Sequence, residues 1–441
     1  MVDGVVGAVA PAVGAYDRES VAARTEGEPE WLREQRFAAL EVFERTPVPT
    51  TRGEEWRYTD PRQLKWDQVG PAPLRGALFA VLPEEDREQR SAIADGLVVT
   101  ADAAIEQIEL TDALRRKGVL LMDLAVAARE HEALVREHLG RIVTPESGKF
   151  AALNGAFWSA GVLLYVPRGV RIEKPIRIVR VINESGGAAY FPRLLVVAAE
   201  GSEVGIVERF RSDDVEQPVF SCGVVEIHAG TGATVRHVAL QQWGSGVHHY
   251  AAQRTVAGRD SNLDTLVVNL GASVARVDLA ASLEGPGARS DMLGLYFAGT
   301  DQHFDHSTRQ DHRVPHASSD LLYKGALDGR SRAVFRGLIK VFPKAQRTDA
   351  YQTNRNLILS REAEATSLPN LEIEADDVRC SHAATVGQLD QEELFYIMSR
   401  GVARREAERL VVFGFFAEVL DRLPMPAVAA ELRVAIEEKI G

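Results

Sequence analysis

Beyond about residue 150 the chain reads in steps of two. Ala275, Val277, Leu279, Ala281 and Leu283 alternate with Arg276, Asp278, Ala280, Ser282 and Glu284. Ala333, Phe335, Gly337, Ile339 and Val341 alternate in the same way with a set that includes Arg336 and Lys340. Successive side chains of a strand point to opposite faces, so each stretch predicts a strand with one dry face and one mostly wet face. The strands also recur. EGSEVGIVERF, AGTGATVRHVAL, AGRDSNLDTLVV and EGPGARSDMLGL each open with a glycine, pass small or polar residues and enter a β-rich run. Those glycines, Gly201, Gly230, Gly258 and Gly285, lie 29, 28 and 27 residues apart, and LDGRSRAVFRGL repeats the pattern from Gly329 after a step of 44. A two-strand rung stacked on the next rung gives such a period, because no rung can bury its apolar face alone. The expected fold is mainly β, with a β-helix or similar β-solenoid core over residues 151–386. A sandwich of antiparallel strands is compatible with the same alternation.

The flanks change period. Residues 1–150 read as mixed and helix-rich, with a Gly-, Ala- and Glu-rich start that predicts a mobile first 28 residues. Pro29 opens an amphipathic helix with Trp31, Leu32, Leu40 and Phe43 near one side, and TPVPT ends it. In GEEWRYTDPRQL, Trp56 and Tyr58 are expected to anchor a loop to the core. Thr111 to Gly140 predicts one or two further helices. Residues 387–441 read as two helices hinged near Arg400 and Gly401, then a short third. Asp390 can cap the first, with Glu393 placed as in a capping box. Such a helical unit can either cover the open end of a solenoid or offer an apolar face to a partner's groove. Leu394, Phe395, Met398, Arg400 and Phe415 are the candidate partner-binding residues. Phe413, Phe415 and Phe416 together are too many for one buried face, which favours the partner.

Composition narrows the function. At 45% hydrophobic and 26% charged residues, the chain is a soluble globular protein. No apolar run is long enough to span a membrane, and the start lacks the basic region of a secretory signal, so a cytoplasmic location is expected. Cys222 and Cys380 are the only cysteines. They cannot build a disulfide framework, nor supply the four thiolates that commonly hold an iron–sulfur cluster. The net charge of −12 argues against a nucleic-acid partner. There is no GxxxxGK[ST] phosphate loop, and GTGATV precedes a strand, so no nucleotide site is expected on this chain.

The candidate chemistry sits where strand period gives way to helix period. Cys380 and His382 share a parity with Val378, Ala384 and Val386. A thiolate and an imidazole on one face form a soft, metal-competent pair, although a face of this kind ordinarily packs inward. His303, His306, His312 and His316 lie in HFDHSTRQDHRVPHASSD, which carries the extra length of the 44-residue step and is read as a polar interface loop. Asp213 and Asp214 are read as an acidic surface turn. His248 and His249 are expected to face opposite ways.

The segments GEEWRYTD, FAALNGAFWSAGVLLYVPRGV, LLYKGALDGRSRAVFRGLIKV, AQRTDAYQTNRNLILS, LPNLEIEADDVRCSHAATVGQLD and LFYIMSRG resemble the SufB/SufD family of iron–sulfur cluster assembly proteins, and its SufD branch in particular. The resemblance covers most of the chain beyond Pro29. It implies a right-handed parallel β-helix flanked by helical regions. It implies pairing with SufB across the β-helix ends, docking of the ATPase SufC on the C-terminal helices, and a nascent iron–sulfur cluster held transiently at the SufB interface. Carried over by the CSH motif, His382 is the residue implicated at that interface, with Cys380 beside it. The missing phosphate loop fits, because ATP hydrolysis belongs to the partner. A non-catalytic scaffold subunit is the implied role. A SufB-type paralogue and a β-helix carbohydrate-active enzyme are the alternatives. Whether the isolated chain forms a homodimer is left open.

Overall fold

A computed structural model describes residues 16–74, 94–183 and 187–440. Its centre is a β-solenoid of about seven turns, in which the chain passes back and forth between two sheets. One sheet runs inward from the open end through Glu364–Ile373, Arg332–Val341, His303–His312, Val274–Leu283, Val247–Ala257, Val219–Ala229, Arg193–Ala198 and Val162–Val166. The other runs through Val378–Gln388, Thr348–Ile358, Ser318–Leu327, Arg289–Ala298, Asn262–Asn269, Thr234–Gln242, Glu203–Ser212, Ile176–Ile182 and Gly96–Ala101. Neighbouring rungs pair in parallel and in simple register, as in Ala281 beside Gln310 and Ala350 beside Cys380. An antiparallel rather than parallel partner closes each sheet at the N-terminal end. Ala104–Leu110 lies against Gly96–Ala101, and Leu120–Asp123 against Val162–Val166. The sheets therefore draw strands from before residue 150. The stretch expected to be one or two helices holds the short helices Asp112–Arg116, Leu124–Glu130 and Glu132–His138, with that edge strand among them.

The uneven repeat has a structural cause. One line of corners places Gly201, Gly232, Asp260, Gly287, His316 and Arg347 at positive φ; the opposite line does so with Gly246, Ala272, Thr300 and Gly329. Gly329 thus belongs to the other corner, and the 44-residue step spans a rung and a half. At the missing step Val314 stands where the earlier corners have Gly230, Gly258 and Gly285, and His316, with φ of 62°, stands where they have Gly232, Asp260 and Gly287. The histidine-rich segment is no loop. It is two regular strands, His303–His312 and Ser318–Leu327, joined at that corner.

Inward-facing side chains fill the bore. Early rungs are mostly aliphatic, with Ile178, Val196, Ile206 and Val235 fully buried. One charged cluster interrupts them. Arg180 Nε donates to Glu208 at 2.9 Å, and His237 Nε2 lies 3.0 Å from the same carboxylate. Burial raises the Glu208 pKa, but the Arg180 charge and the His237 hydrogen bond outweigh it and hold the group at about 2. Late rungs pack aromatic and amide side chains instead. Tyr296 stacks on His306 at 4.7 Å, and its hydroxyl donates to Asn356 at 2.5 Å.

Helices cover the outer faces. Glu30–Arg45 and Lys149–Phe157 lay Leu40, Phe43, Phe150 and Phe157 over the outside of the first sheet, against Leu195, Phe220 and Tyr250. The first residues, expected to be mobile, include the helix Arg18–Arg24; residues 1–15 lie outside the described residues. The GEEWRYTD loop is fastened as expected at Trp56, whose ring covers the Arg276 guanidinium at 3.9 Å, while Tyr58 is exposed. Arg276, expected on a wet face, is buried there. It bonds Asp305 at 2.6 Å and the Glu55 carbonyl at 2.9 Å, while Thr59 bridges His303 and Asp305. At the C-terminus, Arg404–Asp421 and Pro426–Ile440 pack Val412, Phe416, Val419 and Leu432 on Leu240, Leu266, Leu293 and Leu295, the outer face of the second sheet. They flank the solenoid. They do not cover its open end.

Candidate functional site

The open end is formed by Glu364–Ile373 and Val378–Gln388, each the last strand of its sheet and each with one unpaired edge. An unpaired edge offers a row of backbone donors and acceptors to another chain. The terminal strand exists because VRCSHAATVGQ alternates small and β-compatible residues, and it stops where Asp390 caps the next helix by accepting from the Glu392 and Glu393 amides.

Cys380 and His382 face into the bore, as their parity predicts. Cys380 pairs with Ala350 and packs beside Ile339, Val341, Ala345 and Leu371. Burial, and then the Asp349 carboxylate, push its thiol pKa up. His382 pairs with Gln352 and is exposed, because no further rung lies over it. The expectation that this face packs inward therefore holds for Cys380 in part and fails for His382. Among the described residues, no three His, Cys, Asp or Glu side chains gather as a metal-holding group. Cys380 and His382 could supply two ligands at most, and a cluster at this end would need others from a second chain.

Beneath His382 the floor is polar. Asn354 Oδ1 accepts from Asn356 Nδ2 at 2.8 Å and from Ser367 Oγ at 2.7 Å. Gln352 Nε2 donates to the Gly337 carbonyl at 3.4 Å, and Gln352 Oε1 is buried without a partner. Sequence reasoning missed these four residues. Their signal was polar side chains at inward parity, in AYQTNRNL and in TSLP.

The C-terminal candidates separate. Leu394 is 1% exposed and packs on Leu389 and Ala407, so it holds the helix Gln391–Ser399 in place and faces away from any docking partner. Phe395 is 74% exposed, Tyr396 and Met398 on the same helix are exposed, and so is Leu410 on the next helix. Arg400 lies over the Tyr396 ring at 4.7 Å. Phe415 is half-buried under Lys324, Phe413 is half-buried, and Phe416 is fully buried. The three phenylalanines thus find cover within the chain, because the sheet and the helix Pro426–Ile440 both pack against their helix, Arg404–Asp421. The exposed aromatic face lies on the preceding helix, Gln391–Ser399.

Four other histidines are buried in the fold. His306 Nε2 accepts from Asn269 at 2.8 Å, and His312 Nε2 lies 2.9 Å from Ser319 Oγ. His249 turns inward to Ser221, and His248 turns outward under Lys65. Asp214 accepts from the Ser245 amide in a corner turn. No helix among the described residues is long and apolar enough to cross a membrane.

The chain resembles known proteins over nearly its whole length. Residues 180–415 match the SufBD core domain of the SUF system for FeS cluster assembly, and residues 90–178 match the SufBD protein N-terminal region. The iron–sulfur cluster assembly protein SufD of Bacillus subtilis is 32% identical over 421 residues, covering 94% of this chain and 95% of that protein. SufB of Bacillus subtilis is 28% identical over 414 residues, 91% of this chain and 88% of that protein. The SufBD family protein SH2035 of Staphylococcus haemolyticus is 29% identical over 409 residues, 90% of this chain and 87% of that protein.

Proposed function

The chain belongs to the SufBD family of iron–sulfur cluster assembly proteins, and on that footing we propose that it acts as the SufD-type scaffold subunit, without catalysis of its own. The nascent cluster is its cargo. In this reading the open end pairs with a SufB-type partner, edge strand to edge strand, and His382 and Cys380 face the place where the cluster is built. The observation that carries it is the bare terminal rung, whose exposed imidazole lies on the bore side of an unpaired edge. Two ligands from this chain leave room for thiolates from the other.

The C-terminal region, 387–441, is proposed to receive a SufC-type ATPase through Phe395, Tyr396, Met398 and Arg400. Helix Gln391–Ser399 follows the terminal strand directly, and Leu389, in the link between them, is buried with Leu394 and Ala407. Movement of a docked ATPase would therefore pull on the terminal rung. Such movement shifts the state of the interface only if the ATPase binds the two states differently. The proposed setting is the cytoplasm.

The test is co-expression with the SufB-type and SufC-type subunits, with iron and sulfide assayed on the purified complex. Ala384→Pro removes a backbone donor from the terminal edge, because the even-numbered residues of that strand point their N–H groups away from Thr348–Ile358. It is expected to abolish recovery of the SufB-type partner while the ATPase still binds. Recovery of both partners with this variant would place the interface elsewhere.

A further inference from the structure

Gln352 is the one amide in the floor of the open end whose acceptor is unused. Asn354 Oδ1 takes two donors, and Asn356 Oδ1 takes the Tyr296 hydroxyl. Gln352 Oε1 takes none, although the residue is 1% exposed. A buried acceptor left empty costs about 1–3 kcal/mol, so such groups ordinarily have a partner in the working state.

The fold keeps this amide in place. Gln352 reaches across the bore to Gly337, and a β-carbon on Gly337 would stand 2.2 Å from Gln352 Oε1. Glycine at 337 is the space the amide occupies. Directly above, at the same inward parity, is His382, about 4.8 Å away along the stack. The strands around it present Ala350, Gln352, Asn354 and Asn356, Gly337, Ile339 and Val341, and Ser367, Pro369 and Leu371 to the bore. These residues are all uncharged, and beside His382 on its own strand the inward face carries Cys380.

We propose that Gln352 is a positioning residue for His382. When the partner covers the open end, Gln352 Oε1 accepts the N–H of one imidazole nitrogen. That bond selects the tautomer and leaves the other nitrogen's lone pair facing the partner and the cargo. The hydrogen bond on one ring nitrogen decides which nitrogen is free to ligate. The proposal rests on the reading that the open end is the assembly interface, and it adds the residue that orients the imidazole there.

The experiment uses the full chain in its complex with both partners, labelled with 15N in the histidine rings and read by solid-state 15N spectra. The His382 signal is identified by its loss in His382→Ala. The wild-type complex is expected to show a single His382 tautomer. Gln352→Met keeps the length and removes the acceptor; it is expected to give a mixture of tautomers and to slow cluster assembly about tenfold, the step typical of a lost partner behind a ligating histidine. Gln352→Glu restores an acceptor, and is expected to restore the single tautomer. Gly337→Ala leaves Gln352 in the chain but displaces its amide, and is expected to reproduce the mixture. A tautomer ratio that stays unchanged in both Gln352→Met and Gly337→Ala overturns the proposal, whatever the assembly rate does. A changed ratio with an unchanged assembly rate upholds the positioning and removes His382 from assembly instead.

Discussion

A β-carbon on Gly325 would stand 1.9 Å from the ring of Tyr296. These two residues lie on adjacent strands of one sheet, and the glycine is the niche into which the tyrosine leans on its way to Asn356. Gly325→Ala is therefore expected to destabilise the solenoid by about 1–3 kcal/mol, the usual cost of overpacking a core. Gly387, in the terminal strand, has nothing within 4 Å of the same position. Gly387→Ala is expected to stay within about 0.5 kcal/mol of wild type. Urea unfolding of the two variants measures the contrast.

Acid should weaken the fold well before its carboxylates are protonated. Burial lowers the pKa of His306 to about 3 and those of His249 and His312 to about 4, from 6.5. The folded protein keeps these rings neutral, whereas the unfolded chain charges them below pH 6.5. Their contribution is complete above pH 6.5 and is lost as the pH falls toward the folded values. Each such ring adds a slope of about 1.4 kcal/mol per pH unit in that window. Denaturation measured between pH 7 and pH 5 should show a steep loss of stability, and His306→Asn should make that slope shallower.

The two thiols should report burial separately. Cys222 is fully buried, donates to the Phe150 carbonyl at 3.4 Å and has its pKa pushed well up by burial. Cys380 lies in the bare terminal rung and is half-buried. A thiol reagent applied to the native chain is expected to modify Cys380 alone, with Cys222 reacting only after denaturation. Mass spectrometry of the labelled peptides distinguishes them.

Docking and folding should separate along one helix. Phe395→Ala and Tyr396→Ala alter an exposed face. They are expected to leave the melting temperature unchanged while weakening ATPase binding at least tenfold, the scale of a lost aromatic hot spot of about 2 kcal/mol. Leu394→Ala, one residue away, removes a buried side chain and is expected to cost about 2–5 kcal/mol of stability. Calorimetry of binding beside thermal unfolding checks both.

Much of this was legible in the residues. Period-two alternation in 275–283 and 333–341 places the dry face correctly, and the spacing of Gly201, Gly230, Gly258 and Gly285 gives the rung. The reading failed where a corner is not glycine. Val314 stands in the place of the leading glycine at the missing step, and His316 takes the left-handed conformation after it, so a regular rung passes for an insertion. It also failed where a flank contributes to the sheet, because LLMD is too short to show a period. For the site, parity identifies Cys380 and His382 as bore-facing, but only the absence of a following rung makes His382 exposed. That fact belongs to the end of the stack, and no local pattern carries it. Leu394 and Phe395 show the same limit. Both are apolar, and only the place of the helix against Leu389 and Ala407 decides which one is covered.

The central claim is that the exposed imidazole of the last rung takes part in building the cluster. The direct measurement is the rate of iron–sulfur cluster formation in the complex reconstituted with His382→Ala, with subunit association and melting temperature followed on the same sample. The account expects an intact, normally stable complex in which cluster formation falls by at least tenfold, the step typical of a lost metal-site residue. An intact complex that builds clusters at the wild-type rate would contradict it.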